Sequence, residues 1–263
     1  ILKEASPRHA DILLCTGPVT RQSRDRLLRI YEQIPAPKWV VAVGSCAAFG
    51  GMTAGGSNPT DACGLQYEGL HPGGLLGAGY RSGGGLPVIN VAGCPTHPDW
   101  VTETLLALAE GAIGPDDLDV YARPRLFADH LVHHGCPRNE FYEYKASARA
   151  PSDLGCMMEH LGCMGTQAQG DCNTRAWNGH GSCTRGGFAC INCTAPEFEE
   201  PGHAFTETPT IAGVPVGLPT DMPKAWFVAL ASLSKAATPE RLRRNAVSDH
   251  IAVPPTVHPP KRR

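Results

Sequence analysis

Three things are scarce in this sequence. Aromatic residues make up 6% of its 263 positions, no apolar run approaches 18 residues, and neither sign of charge dominates, with 23 basic against 25 acidic residues and a net charge of −2. The missing apolar run excludes a transmembrane helix within these residues. The balanced charge points away from nucleic acid and from a charged membrane surface as partners. A phosphate-binding fingerprint is also absent, because Gly83-Gly84-Gly85 precedes a strand pattern instead of opening a helix.

Glycine (30), proline (24) and cysteine (11) are plentiful instead. Glycine and proline at this level read as turns and irregular backbone, more than a helical bundle would carry. Eleven cysteines, an odd number in a long chain, do not suit a disulfide scaffold. Seven of them (Cys136, Cys156, Cys163, Cys172, Cys183, Cys190 and Cys193) crowd into one stretch, which points to metal or cluster binding. The chain starts at Ile1 and not at Met, so an upstream segment, including a targeting signal, is compatible with it. The proline-rich basic tail, residues 254–263, reads as extended.

Along the first part, apolar runs at 10–14, Trp39–Val43 and 86–91 read as strands, each ending in turn residues. A helical pattern with Leu27, Leu28, Ile30, Tyr31 and Ile34 on or near one face fills the first interval and stops at Pro35 and Pro37. A second helix is predicted over residues 99–113, ending at Gly114. Strand, helix, strand with continuous apolar strands predicts an α/β fold with a parallel sheet. Cys15, Cys46 and Cys94 fall at carboxyl ends of these strands, the edge where such sheets bind ligands. The glycine-rich insertion at 50–85 carries Cys63, read as a packed loop thiol, and is long enough to suggest a function or a covered partner surface. From about Tyr121 periodicity fades, and such a stretch needs something other than apolar burial to order it. A further helix is predicted over 221–237, with Pro223 in its first turn and Trp226, Phe227, Leu230 and Leu233 as its apolar face.

The chemistry lies in three patterns: His133-x-x-Cys136 with Cys156 and Cys163; Cys172 and Cys183 with Cys190-x-x-Cys193; and Cys46 with Cys94. Thiolates are soft ligands for iron–sulfur clusters or zinc, and an imidazole can replace one of them. Eight donors between 133 and 193 fit two four-ligand sites. Zinc sites come as two close pairs, whereas most cysteines here are spaced singly, which suits a larger cubane. A zinc-stabilised structural or interaction module stays open as the rival.

Gly44-Ser45-Cys46-Ala47-Ala48-Phe49-Gly50-Gly51 and Gly93-Cys94-Pro95 resemble the proximal-cluster segments of nickel–iron hydrogenase small subunits. His133, Cys136, Cys156 and Cys163 are similar to that family's distal-cluster set, and Cys172, Cys190 and Cys193 to its medial set. The resemblance runs from about Trp39 onward. It implies a flavodoxin-like domain (1–122) holding the proximal cluster, and a mostly irregular iron–sulfur domain (123–263) holding the distal and medial ones. It further implies three 4Fe–4S clusters, electron transfer as the task, and a partner large subunit with the nickel–iron site where hydrogen is split.

Departures from the family pattern sharpen this. Cys183 stands near a position where many members have proline, so a four-iron medial cluster is expected in place of a three-iron one. Cys156 and Cys163 are one residue further apart than is common. The segments from Asn58 to Tyr67, Gly165-Thr166-Gln167 and the stretch from Gly217 onward resemble the hydrogen-sensing, regulatory hydrogenases. That subfamily is cytoplasmic and lacks a membrane anchor, and its likeness implies a second heterodimer and a histidine kinase as partners. A soluble uptake hydrogenase is the alternative. The proximal pattern also needs an N-terminal Cys-x-x-Cys, which does not precede Cys15, so those two ligands are expected upstream of Ile1. The first forty residues, Ser6-Pro7-Arg8-His9-Ala10-Asp11 and Thr16-Gly17-Pro18-Val19-Thr20 among them, instead resemble energy-converting hydrogenases and a subunit of respiratory complex I.

Smaller features are read as follows. Thr16 takes the place of a family glutamate and is a turn residue able to relay a proton but not to store one. His134 and His160 are hydrogen-bonding neighbours of ligands, Trp177 and Phe188 exclude water around the medial site, and Arg138 and Arg185 either donate to cluster sulfurs or are solvated.

Overall fold

A computed structural model describes residues 1–198, 206–211, 214–215 and 218–256. Gly217 and residues 257–263 of the basic tail lie outside the described residues. By contact the chain forms two units. The first comprises Ile1–Leu131, Ala168–Asp171 and Asn192–Gly202; the second comprises Val132–Gln167, Cys172–Ile191 and His203–Arg263.

The first unit is built on β1 (Ile12–Thr16), α1 (Arg24–Gln33), β2 (Trp39–Val43), α2 (Ser45–Phe49), a small hairpin of β3 (Tyr67–Glu68) and β4 (His71–Pro72), β5 (Ile89–Val91), α3 (Pro98–Ala109) and α4 (Arg125–Ala128). The α/β expectation holds: β1, β2 and β5 form a parallel sheet with β2 central. Val40, Val41 and Ala42 of β2 are fully buried, as a strand covered on both faces requires. The β2 residues Val40 and Ala42 pack with Ala47, Ala48 and Phe49 of α2 and with Val88 and Ala92 around β5.

Two expected boundaries moved for local reasons. The third strand begins at Ile89, three residues later than its apolar run, because Pro87 has no N–H for a ladder and the Val88 N–H donates to Gln66 Oε1 at 2.8 Å. The helix after it ends at Ala109, not at 113. Its terminating glycine is Gly111, at φ +65°, and not Gly114. The long glycine-rich insertion is held inward by Gln66, whose Nε2 donates to the carbonyls of Ala78 and Tyr80, both at 3.1 Å. Gly64 in the same insertion has no room for a side chain, since a Cβ would lie 2.1 Å from the Ala48 carbonyl oxygen.

The second unit contains α5 (Asn139–Glu143), α6 (Cys172–Arg175), a short antiparallel pair of β6 (Thr210–Ile211) and β7 (Val214–Pro215), α7 (Lys224–Ala236) and α8 (Glu240–Ala246). Its apolar clusters are small, one being Tyr142, Met158, Leu218 and Phe227, another Ala146, Leu242 and Ala246. The helix predicted at 221–237 exists as α7, capped by Pro223, but its apolar face is not a core face. Phe227 is buried, while Trp226, Leu230 and Leu233 are 65%, 47% and 66% exposed.

Candidate metal centres

In the first unit, Cys46 lies in α2, directly after β2, and Cys94 follows β5 closely, so both stand at the carboxyl edge of the sheet. The two turns are tied together. The Gly44 N–H donates to Val91 O at 2.9 Å and the Ser45 N–H to Gly93 O at 3.0 Å, while Ser45 Oγ accepts from the Gly93 N–H at 2.9 Å. Ser45 Oγ also donates to the Cys193 carbonyl, which belongs to the same unit. Gly51, at φ +58°, is required beside the thiol, because a Cβ there would come within 2.6 Å of Cys46 Sγ. In the sequence Ser45 was only a motif letter, and its clasp emerges from contacts across 48 and 148 residues.

Cys15 and Cys63 are not presented at that edge. Both are buried in the sheet core, and burial pushes the Cys15 thiol up to about 11. Cys63 exchanges both backbone hydrogen bonds with Val19 at 2.9 Å, so it is the packed loop thiol its position suggested. Thr16 is exposed at the end of β1.

The second unit brings the complete predicted distal set together. His133, Cys136, Cys156 and Cys163 line one small cavity, with Tyr142, Met157 and Thr184 among its other walls. A short 3₁₀ turn, Val132–Gly135, delivers the first of them and leads directly into the second. Cys156 is fixed by its N–H to Ala146 O at 3.0 Å and by Ala148, which donates to its carbonyl at 2.9 Å. Backbone donors already address two sulfurs, the Arg138 N–H to Cys136 Sγ at 3.4 Å and the Cys190 N–H to Cys163 Sγ at 3.2 Å. Both ring nitrogens of His133 are buried without a hydrogen-bond partner. An unpaired buried imidazole sharing a cavity with three thiols is costly unless something binds it, and a soft metal group fits that donor set.

Proton affinities argue the same way. Burial pushes the Cys156 thiol up to about 12, with nearby Cys163 adding to the rise, and burial raises Cys163 as well. Burial also lowers His133, against the opposing pull of Asp221, which favours the neutral ring that a metal needs. Thiols this reluctant to ionise become thiolates when a cation takes the proton's place. Tetrahedral zinc with Zn–S near 2.3 Å would hold its sulfurs about 3.8 Å apart. Among the described residues, the only three candidate donors mutually within 4.8 Å are His133, His134 and Asp221, with no cysteine among them.

Of the predicted medial set, Cys172 opens α6, Cys183 is exposed, Cys190 is buried, and all three belong to the second unit; Cys193 belongs to the first. Asn173, unremarked in the sequence, organises this stretch. Its Nδ2 donates to Val132 O at 2.8 Å, and its Oδ1 accepts from Thr184 Oγ1 at 2.7 Å and from Ser182 Oγ. Lys145 is a second missed residue. Its ammonium lies 3.9 Å from the Tyr142 ring centre and 4.6 Å from that of Phe227, and it exerts a favourable Coulombic pull on the Cys156 thiolate.

Three expectations about neighbours are settled by these contacts, two of them as corrections. The Arg138 side chain does not donate to a sulfur; it donates to the carbonyls of Thr184, Asp153 and Gly155 at 3.1, 2.6 and 2.7 Å, and only its backbone N–H reaches Cys136. Phe188 is 61% exposed and Trp177 only half-buried, so Phe188 does not seal the medial cysteines from water. His134 does act as a hydrogen-bonding neighbour, with Nε2 2.7 Å from Asp221 Oδ2.

Fold and donors together define a class: a parallel α/β protein with an irregular unit in which three thiols and one imidazole line one cavity. Comparison with known proteins agrees. Residues 2–108 match the family described as NADH ubiquinone oxidoreductase, 20 Kd subunit, and residues 129–206 match the family of the C-terminal part of NiFe/NiFeSe hydrogenase small subunits. The F420 non-reducing hydrogenase II small subunit of Methanosarcina mazei is 39% identical over 201 residues, covering 68% of this chain and 51% of that one. The periplasmic NiFeSe hydrogenase small subunit of Desulfomicrobium baculatum is 34% identical, covering 67% and 54%. An actinobacterial-type NiFe-hydrogenase from Ralstonia eutropha H16 superposes with a TM-score of 0.66 at 29% identity, covering 88% of this chain and 72% of that one. The chain belongs to the nickel–iron hydrogenase small-subunit family. It spans about half the length of the curated relatives it matches. The complex I likeness expected for the first forty residues extends to residue 108. Among the described residues no helix is long and apolar enough to cross a membrane.

Proposed function

We propose that this chain relays single electrons between the nickel–iron site of a partner large subunit and an acceptor through iron–sulfur clusters. The observation that carries the reading is the gathering of His133, Cys136, Cys156 and Cys163 around one cavity with the imidazole unpaired. These four would hold a distal 4Fe–4S cluster. Cys172, Cys183, Cys190 and Cys193 would hold a medial one, and Cys46 and Cys94 would supply two ligands of a proximal one. A bound cluster supplies a one-electron couple, and the protein sets its potential through ligand type, sulfur hydrogen bonds and solvent exposure. The Arg138 and Cys190 backbone donors and the Lys145 ammonium stabilise the more negative, reduced state of the distal cluster. The division into a flavodoxin-like 1–122 and an iron–sulfur 123–263 is proposed as a division of labour by ligands.

Metal analysis of the anaerobically purified protein tests this. Two cubanes give about eight iron atoms per chain and a complete proximal site about twelve, with matching sulfide. About two zinc ions and little iron would overturn the reading in favour of a zinc-stabilised module. Within it, Cys183 is expected to decide the medial cluster type. Replacing Cys183 with alanine should convert that cluster to a three-iron form at a higher potential, seen as a new paramagnetic signal of the oxidised protein; an unchanged cubane signal would remove Cys183 from the ligand set.

The sequence likeness to regulatory hydrogenases supports a finer assignment, a cytoplasmic hydrogen sensor that signals through a histidine kinase and pairs with a second heterodimer. Co-purification with a kinase supports it. Co-purification with an electron acceptor in the kinase's absence assigns the chain to a soluble uptake enzyme instead.

A further inference from the structure

Asp221 lies in the loop leading to α7, far in sequence from the cluster motif, yet it meets that motif directly. Its Oδ2 is 2.7 Å from His134 Nε2 and 3.4 Å from His133 Nε2. Among the described residues it is the one carboxylate within ion-pair distance of the His133 ring. The His133 side chain is 13% exposed, and the Tyr142 ring stands edge-on to it with centres 5.2 Å apart. The ring is therefore enclosed, with Nε2 turned to an acid and neither nitrogen hydrogen-bonded.

A ligating imidazole gives iron one nitrogen and keeps a proton on the other. Metal-bound histidines almost always donate that second N–H to a carboxylate, carbonyl or water, which fixes the tautomer and raises the ring's basicity. We propose that Asp221 is the positioning residue of the distal site: its carboxylate accepts a hydrogen bond from the His133 Nε2–H and so assigns Nδ1 as the atom offered to iron. The inference rests on the reading of His133 as a cluster ligand. The gap of 3.4 Å is longer than a settled hydrogen bond, and ligation that draws His133 into place would close it. His134 holds the same carboxylate from the outer side, so Asp221 is oriented before the cluster is in place. Its negative charge beside the ring also favours the oxidised cluster and lowers its potential.

The test uses the complex of this chain with its large subunit, purified anaerobically, with Asp221→Asn, Asp221→Ala, Asp221→Glu and Asn139→Ala compared with wild type. Readouts are the distal midpoint potential from an EPR-monitored titration, the nitrogen hyperfine coupling of that signal, and the rate of iron loss to a chelator. Asp221→Asn and Asp221→Ala are expected to move the distal potential upward and to speed iron loss roughly ten- to a hundredfold, with the medial signal unmoved and Asp221→Glu restoring most of the change. Unchanged potential and iron loss in Asp221→Ala overturns the proposal. So does a response in Asn139→Ala alone, which would give the second ring nitrogen to the neighbouring amide. A wild-type complex with no distal signal, or with zinc on His133, His134 and Asp221, fails the underlying reading instead, before any variant is compared.

Discussion

Replacing Cys156 with alanine is expected to remove about four iron atoms per chain and to unfold much of the second unit, visible as a lost or strongly lowered thermal transition. The size of the effect follows from how little else holds that unit. One of its buried apolar clusters has four members, Tyr142, Met158, Leu218 and Phe227, and another has three. At roughly 1.5–3 kcal/mol for each buried side chain, such clusters do not offset the backbone entropy of the segments they must order. Structural metal binding contributes on the order of 10 kcal/mol in small metal-ordered domains, and that energy is folding energy. Cys15 is the matched control, a buried thiol of the sheet core in the first unit. Its replacement by alanine should leave the iron count unchanged and cost only about 1 kcal/mol, the ordinary scale for a point mutation. An iron count and transition unaltered in Cys156→Ala would mean that the cavity binds no cluster.

The second large effect is expected at Arg123, in the first unit. The side chain is 2% exposed, and its guanidinium meets Asp119 at 2.6 Å, the Thr194 carbonyl at 3.0 Å and Gln169 Oε1. Asp119 is itself almost fully buried and also accepts the backbone N–H groups of Tyr121 and Arg123 at 2.9 and 2.8 Å. Removing one member of such a pair leaves the other charged and buried, which costs about 3–5 kcal/mol. Arg123→Ala should show that loss in denaturant unfolding. Arg123→Lys should recover part of it, because the charge returns but the planar fork that serves three acceptors does not. A loss below about 1 kcal/mol would place this pair with exposed ion pairs.

The turns that carry the candidate ligands were legible in the sequence because each is local. Gly44-Ser45-Cys46 and His133-x-x-Cys136 need only their own turns, and β2 was read to the residue because Trp39–Val43 is a continuous apolar run closed by Gly44. What was not legible depends on distant chain. The start of β5 was misplaced because the rival partner of the Val88 N–H is a glutamine 22 positions away. The face of α7 was misjudged because periodicity reports which residues share a side, not whether anything covers it. Asn173 and Lys145 carry no motif, Asp221 stands in a stretch read only for its subfamily likeness, and the roles of all three come from what the fold sets beside them. Arg138 failed differently. It sits where a sulfur donor would be useful, but three backbone carbonyls claim its guanidinium.

The make-up of the first unit bears on how the protein emerges from the ribosome. Arg123 finds its acceptor on Thr194 only 71 positions later. At about 5–20 residues per second, roughly 4–14 s pass between the making of the one and of the other. Through that interval the sheet can already stand, since β1, β2 and β5 are all made, while a buried guanidinium waits for chain not yet synthesised. The cysteines from Cys136 to Cys193 are translated during the same wait. Closure of the first unit around Arg123 therefore waits for a stretch of chain that already carries the cysteines from Cys136 to Cys193.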